Sequence, residues 1–72
     1  MVEIPNSAID RIIRKSGAVR VSKSAINELR KELEDYGLKL SKMAVEIAKY
    51  AGKKTVEDSD IILAIKKQKI IS

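Results

Sequence analysis

The sequence contains no cysteine and no histidine, and these absences exclude several kinds of chemistry. No disulfide can form, and zinc sites built from cysteine and histidine are impossible. The three glycines are far apart, so no glycine-rich phosphate loop is present. No pair of nucleophile and general base can be argued either. We therefore expect no enzyme, no cofactor, no metal site and no small-molecule substrate.

Aromatic residues and long apolar runs are also scarce. Two tyrosines are the whole aromatic content, which disfavours a surface that stacks the bases of single strands. No apolar run approaches the roughly 20 residues that span a bilayer. The N-terminal residues lack the basic and apolar regions of a signal peptide. We expect a soluble, intracellular protein that does not insert into membranes.

Positive charge is present in excess, and it is unevenly distributed. The chain has 15 lysines and arginines against 10 acidic residues, a net charge of +5. Residues 1–24 carry a charge of +3 and residues 51–72 carry +2, whereas residues 25–50 are neutral. This distribution favours a polyanionic partner that contacts the two ends of the sequence.

Apolar residues at steps of three and four predict three helices in a single domain of residues 1–72, at about residues 5–15, 23–51 and 56–68. Pro5 suits a first helical turn, Gly17 a helix end and Ser22 an N-cap. Thr55 is predicted to cap the third helix, with Asp58 as the reciprocal acid of a capping box. Residues 19–21 read as a short extended piece.

The second helix carries an unbroken apolar stripe along its length. Its 28 or so residues would measure roughly 42 Å, which exceeds the width of about 30 Å expected for a compact chain of 72 residues. A second copy of the chain must therefore complete the core. Gly37, at mid-helix, is either a tolerated flaw or a point where two long helices approach closely. The predicted dimer core consists of Ile26, Leu29, Leu33, Tyr36, Leu40 and Met43.

Basic residues lie in both breaks between the helices. Arg20 is in the first break, and Lys53, Lys54 and Thr55 form the second. Two antiparallel long helices would place the first break of one chain beside the second break of its partner, which creates a cationic patch twice per dimer. The bland alternative is that these are ordinary solvated charges. The start of the first helix, with its free N–H groups, offers a further phosphate site.

Several segments closely resemble archaeal histones, from about Ile4 to Lys69. The resemblance rests on Arg11-Ile12-Ile13-Arg14, on residues 17–22 (Gly-Ala-Val-Arg-Val-Ser), on residues 48–56 around Ala-Gly-Lys-Lys-Thr, and on Asp60-Ile61. It implies an all-α histone fold of short, long and short helices that forms an intertwined antiparallel handshake dimer. It also implies DNA bound across the paired loops and the first-helix N-termini.

The resemblance implies roles for individual residues. Arg11 matches the arginine that enters the minor groove, and Arg20, Lys54 and Thr55 match residues that hold phosphates. The full DNA-binding set is Arg11, Arg14, Lys15, Arg20, Ser22, Lys53, Lys54 and Thr55. The set for contact between dimers is Ile47, Tyr50, Asp60 and Ile61.

Three positions depart from the family pattern. Lys53 stands where the family usually has an arginine paired with the acid at Asp60, and we expect a weaker pair because lysine lacks the bidentate fork. Tyr50 replaces a common histidine of the dimer–dimer contact. Ile62 replaces an acid that helps neighbouring turns of long stacks to join, while Gly17, which such stacks need, is retained.

We therefore expect a chromosomal protein of the nucleoid that binds and compacts double-stranded DNA without sequence preference, wrapping it into nucleosome-like particles. Its partners are duplex DNA, a second copy in an obligate dimer, further dimers on DNA, and paralogous histones. The alternative is a histone-fold module for protein assembly with little DNA packaging of its own. A basic coiled coil on an acidic membrane is a third interpretation, which the neutral long helix disfavours.

Overall fold

A computed structural model describes residues 2–71 of the chain, without the side chain of Ile71. It contains three helices, α1 (Asn6–Lys15), α2 (Lys23–Tyr50) and α3 (Asp58–Ile71), and no strand within the described residues. The order of short, long and short helices confirms the predicted all-α class. The predicted extended piece at residues 19–21 is wrong in that this segment forms no strand. The chain divides into two compact units, residues 1–36 and 37–72.

In the first unit, α1 is held at both ends by backbone groups. The carbonyl of Pro5 accepts the N–H groups of Ala8 at 3.1 Å and Ile9 at 3.3 Å, so Pro5 precedes the helix as its N-cap. At the other end Gly17 adopts a φ of +110° and donates to the carbonyl of Arg14 at 3.0 Å. Gly17 therefore ends the helix as predicted, because a left-handed φ favours glycine.

The start of α2 is capped by a side chain. The hydroxyl of Ser22 accepts the N–H of Ala25 at 3.1 Å, which is the N-cap geometry that the sequence predicts. The segment from the end of α1 to this cap, residues 16–22, is called the first loop below.

The segment before α1 is tied to α2 by two side chains that carried no signal in the sequence. One carboxylate oxygen of Glu34 accepts the N–H of Ile4 at 2.8 Å and the N–H of Glu3. Arg30, one turn earlier, donates to the side-chain oxygen of Asn6. The backbone hydrogen bonds from Ile4 and then Glu3 hold the pKa of Glu34 below its ordinary value. These contacts fix where α1 begins.

In the second unit, α2 ends in a Schellman motif. Gly52 has a φ of +76° and donates to the carbonyl of Lys49 at 2.9 Å, while Lys53 donates to the carbonyl of Ala48 at 2.9 Å. This pair of bonds satisfies two carbonyls of the last turn and directs the chain away from the helix axis. The segment that follows, residues 51–57, is called the second loop below.

The third helix begins later than predicted, and its cap is a different residue. Glu57 is the N-cap: its carbonyl accepts the N–H of Asp60 at 3.0 Å, and its own N–H donates to Oδ2 of Asp60 at 2.9 Å. The predicted cap at Thr55 and reciprocal acid at Asp58 are therefore wrong. Asp60 takes the role because Lys53 holds its carboxylate in place. The helix also continues three residues beyond the predicted end at residue 68.

The hydrophobic interior of the single chain is small. Among the described residues, the fully buried apolar side chains are Ile9, Ala44, Ala48 and Ala64. The residues of the predicted dimer core stay partly accessible, with Leu33 at 37% and Tyr36 at 46% exposure. Burying one isoleucine contributes about 2 kcal/mol, whereas folded domains need a net 5–15 kcal/mol or so. The α2 stripe of one chain therefore lacks most of its packing partners.

Candidate nucleic-acid interface

Four of the predicted DNA-binding cations are exposed and make no ion pair or hydrogen bond with residues 2–71: Arg11, Lys15, Arg20 and Lys54. Arg11 and Lys15 lie on α1, Arg20 lies in the first loop, and Lys54 lies in the second loop. Their charge is not neutralised locally, which leaves them able to contact phosphate oxygens.

Arg14 is used differently, because it closes the first loop. Its Nε donates to both carboxylate oxygens of Asp10, at 3.1 and 3.0 Å, and its Nη1 donates to the carbonyl of Val19 at 3.1 Å. One guanidinium thus joins α1 to the loop residue directly before Arg20. We call this contact the first clamp.

Lys53 closes the second loop in a comparable way. Its ammonium lies 3.1 and 2.9 Å from the two carboxylate oxygens of Asp60 and 2.8 Å from Oε1 of Glu57. The structure therefore brings the predicted structural pair together and adds Glu57 to it. The expectation that lysine reaches only one oxygen of Asp60 is wrong, since Nζ lies between both. We call this contact the second clamp.

The titration behaviour of the second clamp follows from these hydrogen bonds. The pKa of Lys53 is raised, first by its hydrogen bond to Glu57 and then by that to Asp60. The pKa of Asp60 is lowered, first by the N–H of Glu57 and then by the ammonium of Lys53. Both charged forms are therefore favoured, and the clamp stays ionised across the neutral range.

The two predicted hydroxyl contacts divide in the same way. Ser22 spends its hydroxyl oxygen on the N-cap of α2, with Ser24 Oγ 3.2 Å away. Thr55 is exposed in the second loop beside Lys54. Thr55 thus has its side chain available to an incoming ligand, whereas Ser22 mainly shapes the loop.

The residues predicted for contact between dimers are not all on one surface. Ile47 and Tyr50 line an open apolar groove together with Leu63, and Tyr50 is 96% exposed. Asp60 is 4% exposed and engaged by its own chain, and neither it nor Ile61 lines this groove. Leu63 was not identified from the sequence.

Some of the missed residues carried a visible signal. Asp10 precedes Arg14 by four residues, and Glu57 follows Lys53 by four, the spacings at which opposite charges meet on a helix or capped turn. Glu34 carried no such signal, because its partners lie 30 and 31 residues away in the sequence.

The three helices, with two tightly turned basic loops between them, define a histone-fold protein. Residues 2–65 match the family of histone-like transcription factors (CBF/NF-Y) and archaeal histones. The chain therefore belongs to this family.

Two archaeal relatives cover nearly the whole chain. One of the subunits of the archaeal histone HAN1 of Thermococcus zilligii is 48% identical over 66 residues, which is 92% of this chain and 98% of the relative. The probable archaeal histone 3 of Methanocaldococcus jannaschii is 36% identical over 66 residues, with the same coverage.

The described part of the chain offers neither a metal site nor a membrane span. No group of three or more acidic side chains there could hold a metal ion. No described helix is long and apolar enough to cross a membrane.

Proposed function

We propose that this chain packages double-stranded DNA as a histone, binding the sugar–phosphate backbone without sequence preference and acting on the chromosome. The observation that carries the proposal is the pattern of cations. In each loop one basic side chain is consumed by a clamp, while a neighbouring one, Arg20 or Lys54, stays exposed and unpaired within residues 2–71. The two relatives named as archaeal histones support the same conclusion.

The active unit in this proposal is an antiparallel dimer, in which each histone-fold chain of residues 1–72 forms half of one core. The exposed stripe at Leu33 and Tyr36 supports it, as does the scarcity of buried side chains in one chain. Gly37 supports it too, because nothing within the chain lies within 4 Å of a Cβ added there. A second α2 helix crossing near Gly37 would give that glycine a purpose.

In the antiparallel dimer, the first loop of one chain lies beside the second loop of its partner. Arg20 and Lys54 then belong to the same cationic surface, with Thr55 as a hydroxyl donor. Arg11 and Lys15 extend this surface along α1. Arg14 and Lys53, which the sequence placed among the phosphate contacts, act by holding the loops. The DNA contacts therefore number four cations per chain rather than six.

Titration of random duplex DNA by fluorescence anisotropy, over a range of salt concentrations, tests the packaging proposal. We expect affinities that are alike for unrelated sequences and that fall with log salt at a slope of about −0.9 per neutralised phosphate. Nuclease digestion should leave protected fragments of regular length. Weak binding that is insensitive to salt would favour the alternative, a histone-fold module that assembles with other proteins.

Dimers are proposed to join through the groove lined by Ile47, Tyr50 and Leu63. Its apolar lining and the exposure of Tyr50 support this surface. The predicted hydrogen bond between Tyr50 and Asp60 of a neighbouring dimer has less support, because Asp60 is already engaged. Ile47→Glu should leave the dimer bound to DNA but shorten the protected fragments to those of one dimer. Unchanged long fragments would place the contact elsewhere.

A paralogous histone is a further proposed partner. One relative is named as one of the subunits of a larger assembly, and the proposed dimer surface is formed from a stripe that a related chain could supply. Co-expression with a paralogue, followed by native mass spectrometry, would separate homodimers from heterodimers.

A further inference from the structure

The second loop holds its lysine more completely than a structural pair requires. A lysine ammonium has three hydrogens to donate. Lys53 Nζ has three oxygens within 3.1 Å: Oε1 of Glu57 at 2.8 Å, and Oδ1 and Oδ2 of Asp60 at 3.1 and 2.9 Å. These contacts occupy all three donors, and one of them depends on Glu57 alone.

The two acids hold Lys53 from opposite sides. The side chain of Asp60 is 6% exposed, whereas that of Glu57 is 55% exposed and that of Lys53 is 31% exposed. Asp60 therefore lies on the inner side of the ammonium, and Glu57 lies on the side that faces solvent. A phosphate group that approached Lys53 would come from the side that Glu57 occupies.

We propose that Glu57 withholds Lys53 from the DNA backbone, and thereby sets the strength and the salt sensitivity of DNA binding by the second loop. The inference rests on the proposed function. It makes Glu57 a positioning residue that acts through Lys53 and does not itself touch DNA.

Structural support for the loop gives a weaker account of Glu57. An exposed ion pair contributes little to folding stability. The lysine is already anchored by a buried carboxylate, and the N–H of Glu57, rather than its side chain, completes the cap of α3. The raised pKa of Lys53 has the hydrogen bond to Glu57 as its largest cause, which shows how strongly this acid acts on the ammonium.

Comparison of Glu57→Ala with Asp58→Ala tests the inference. Each variant removes one negative charge from the same turn, but Asp58 makes no hydrogen bond or ion pair with residues 2–71. Both should raise the affinity for random duplex DNA by weakening repulsion. Glu57→Ala should give a further gain of about fivefold near 0.1 M salt and steepen the salt slope by about 0.9 per chain, because a freed Lys53 neutralises one more phosphate.

A second pair of variants shows whether the gain passes through Lys53. Lys53→Gln removes the charge but keeps an N–H donor for Asp60. In that background, Glu57→Ala should gain no more affinity than Asp58→Ala. Circular dichroism melts identify variants that fail to fold. If Lys53→Gln is among those, the difference in salt slope between Glu57→Ala and Asp58→Ala decides alone.

Several outcomes would overturn the inference. Equal gains and equal slopes for Glu57→Ala and Asp58→Ala would show that Glu57 acts only as a surface charge. A Glu57→Ala gain that persists without the Lys53 charge would do the same. A parent protein that binds no duplex would overturn the proposed function as well. If the parent binds and Lys54→Ala weakens it, while Glu57→Ala matches its control, only this inference fails.

Discussion

The two loops that flank α2 are each closed by one basic side chain, but the charges that hold it lie in different surroundings. In the first loop, Arg14 reaches from α1 to the carbonyl of Val19 and pairs with Asp10, with side-chain exposures of 51% for Arg14 and 32% for Asp10. In the second loop, Lys53 pairs with Asp60, whose side chain is 6% exposed.

This difference separates the shaping of a loop from the stabilisation of the fold. An exposed pair exchanges its contacts with water at little cost, so the first clamp mainly selects one loop conformation. A buried carboxylate that loses its partners is left as an uncompensated charge, which is strongly destabilising. The second clamp should therefore matter for folding, and the first should matter mostly for where Arg20 lies.

The largest effect is expected from Asp60→Ala, which breaks the second clamp. It removes the acceptor of both Lys53 and the N–H of Glu57, so the loop and the cap of α3 fail together. We expect the Tm to fall by roughly 10 °C in circular dichroism melts. Asp10→Ala, the equivalent change in the first clamp, should lower it by less than half as much. Equal losses would show that burial does not distinguish the two clamps.

The pH dependence of stability should also belong to the second unit. Asp60 has a lowered pKa in the folded chain, so its contribution is present above its unfolded pKa and is lost as the pH falls through the folded value. Lys53 has a raised pKa, so its contribution is lost as the pH rises through that value. The Tm should thus decline below about pH 4 and above about pH 10.

Asp60→Asn is the variant that checks this assignment. An asparagine keeps the shape but does not titrate, so both limbs of the Tm profile should flatten relative to the parent. Glu34 also has a lowered pKa and contributes to the acid limb. Glu34→Gln should flatten that limb while leaving the alkaline limb unchanged. An alkaline limb that survives in Asp60→Asn would assign it to another group.

DNA binding should show less difference between the loops than stability does. Arg20→Ala and Lys54→Ala each remove one exposed cation, one from each loop. Each should weaken binding to all duplexes by about fivefold to tenfold near 0.1 M salt and reduce the salt slope by about 0.9 per chain. A variant that weakens one sequence selectively would mean that its side chain reads bases.

The sequence predicted most of the fold, because local signals set most of its elements. The stripe of α2, the glycine after α1 and the cap at Ser22 each depend on neighbouring residues. The start of α3 was misplaced because two capping patterns overlap, at Thr55 and at Glu57. Only the position of Lys53 in three dimensions favours the second of them.

The candidate site was less predictable than the fold. Charge and resemblance gave one set of basic residues, but neither distinguishes a cation that holds a loop from one that waits for a ligand. That distinction depends on which acceptor lies within reach. It needs the positions of the Val19 carbonyl and of the Asp60 carboxylate, which no spacing rule supplies for a turn.

The smallest effect is expected from Arg14→Gln, and it decides what the first clamp is for. If Arg14 only holds the loop, the loss of a half-exposed pair should lower stability by about 0.5 kcal/mol. The affinity for DNA should fall about twofold, since Arg20 becomes less well placed, while the salt slope stays that of the parent because no phosphate contact is lost.

Arg11→Gln is the matched control, because Arg11 lies on the same helix, is exposed and has no acid bound to it within residues 2–71. Its slope should decrease by about 0.9 per chain if it neutralises a phosphate. If Arg14→Gln reduces the slope as much as Arg11→Gln does, Arg14 contacts DNA directly, in spite of Asp10. The first clamp would then open on binding, and the two loops would differ in function as well as in burial. An unchanged slope would leave both clamps with the same task, performed once at the surface and once beneath it.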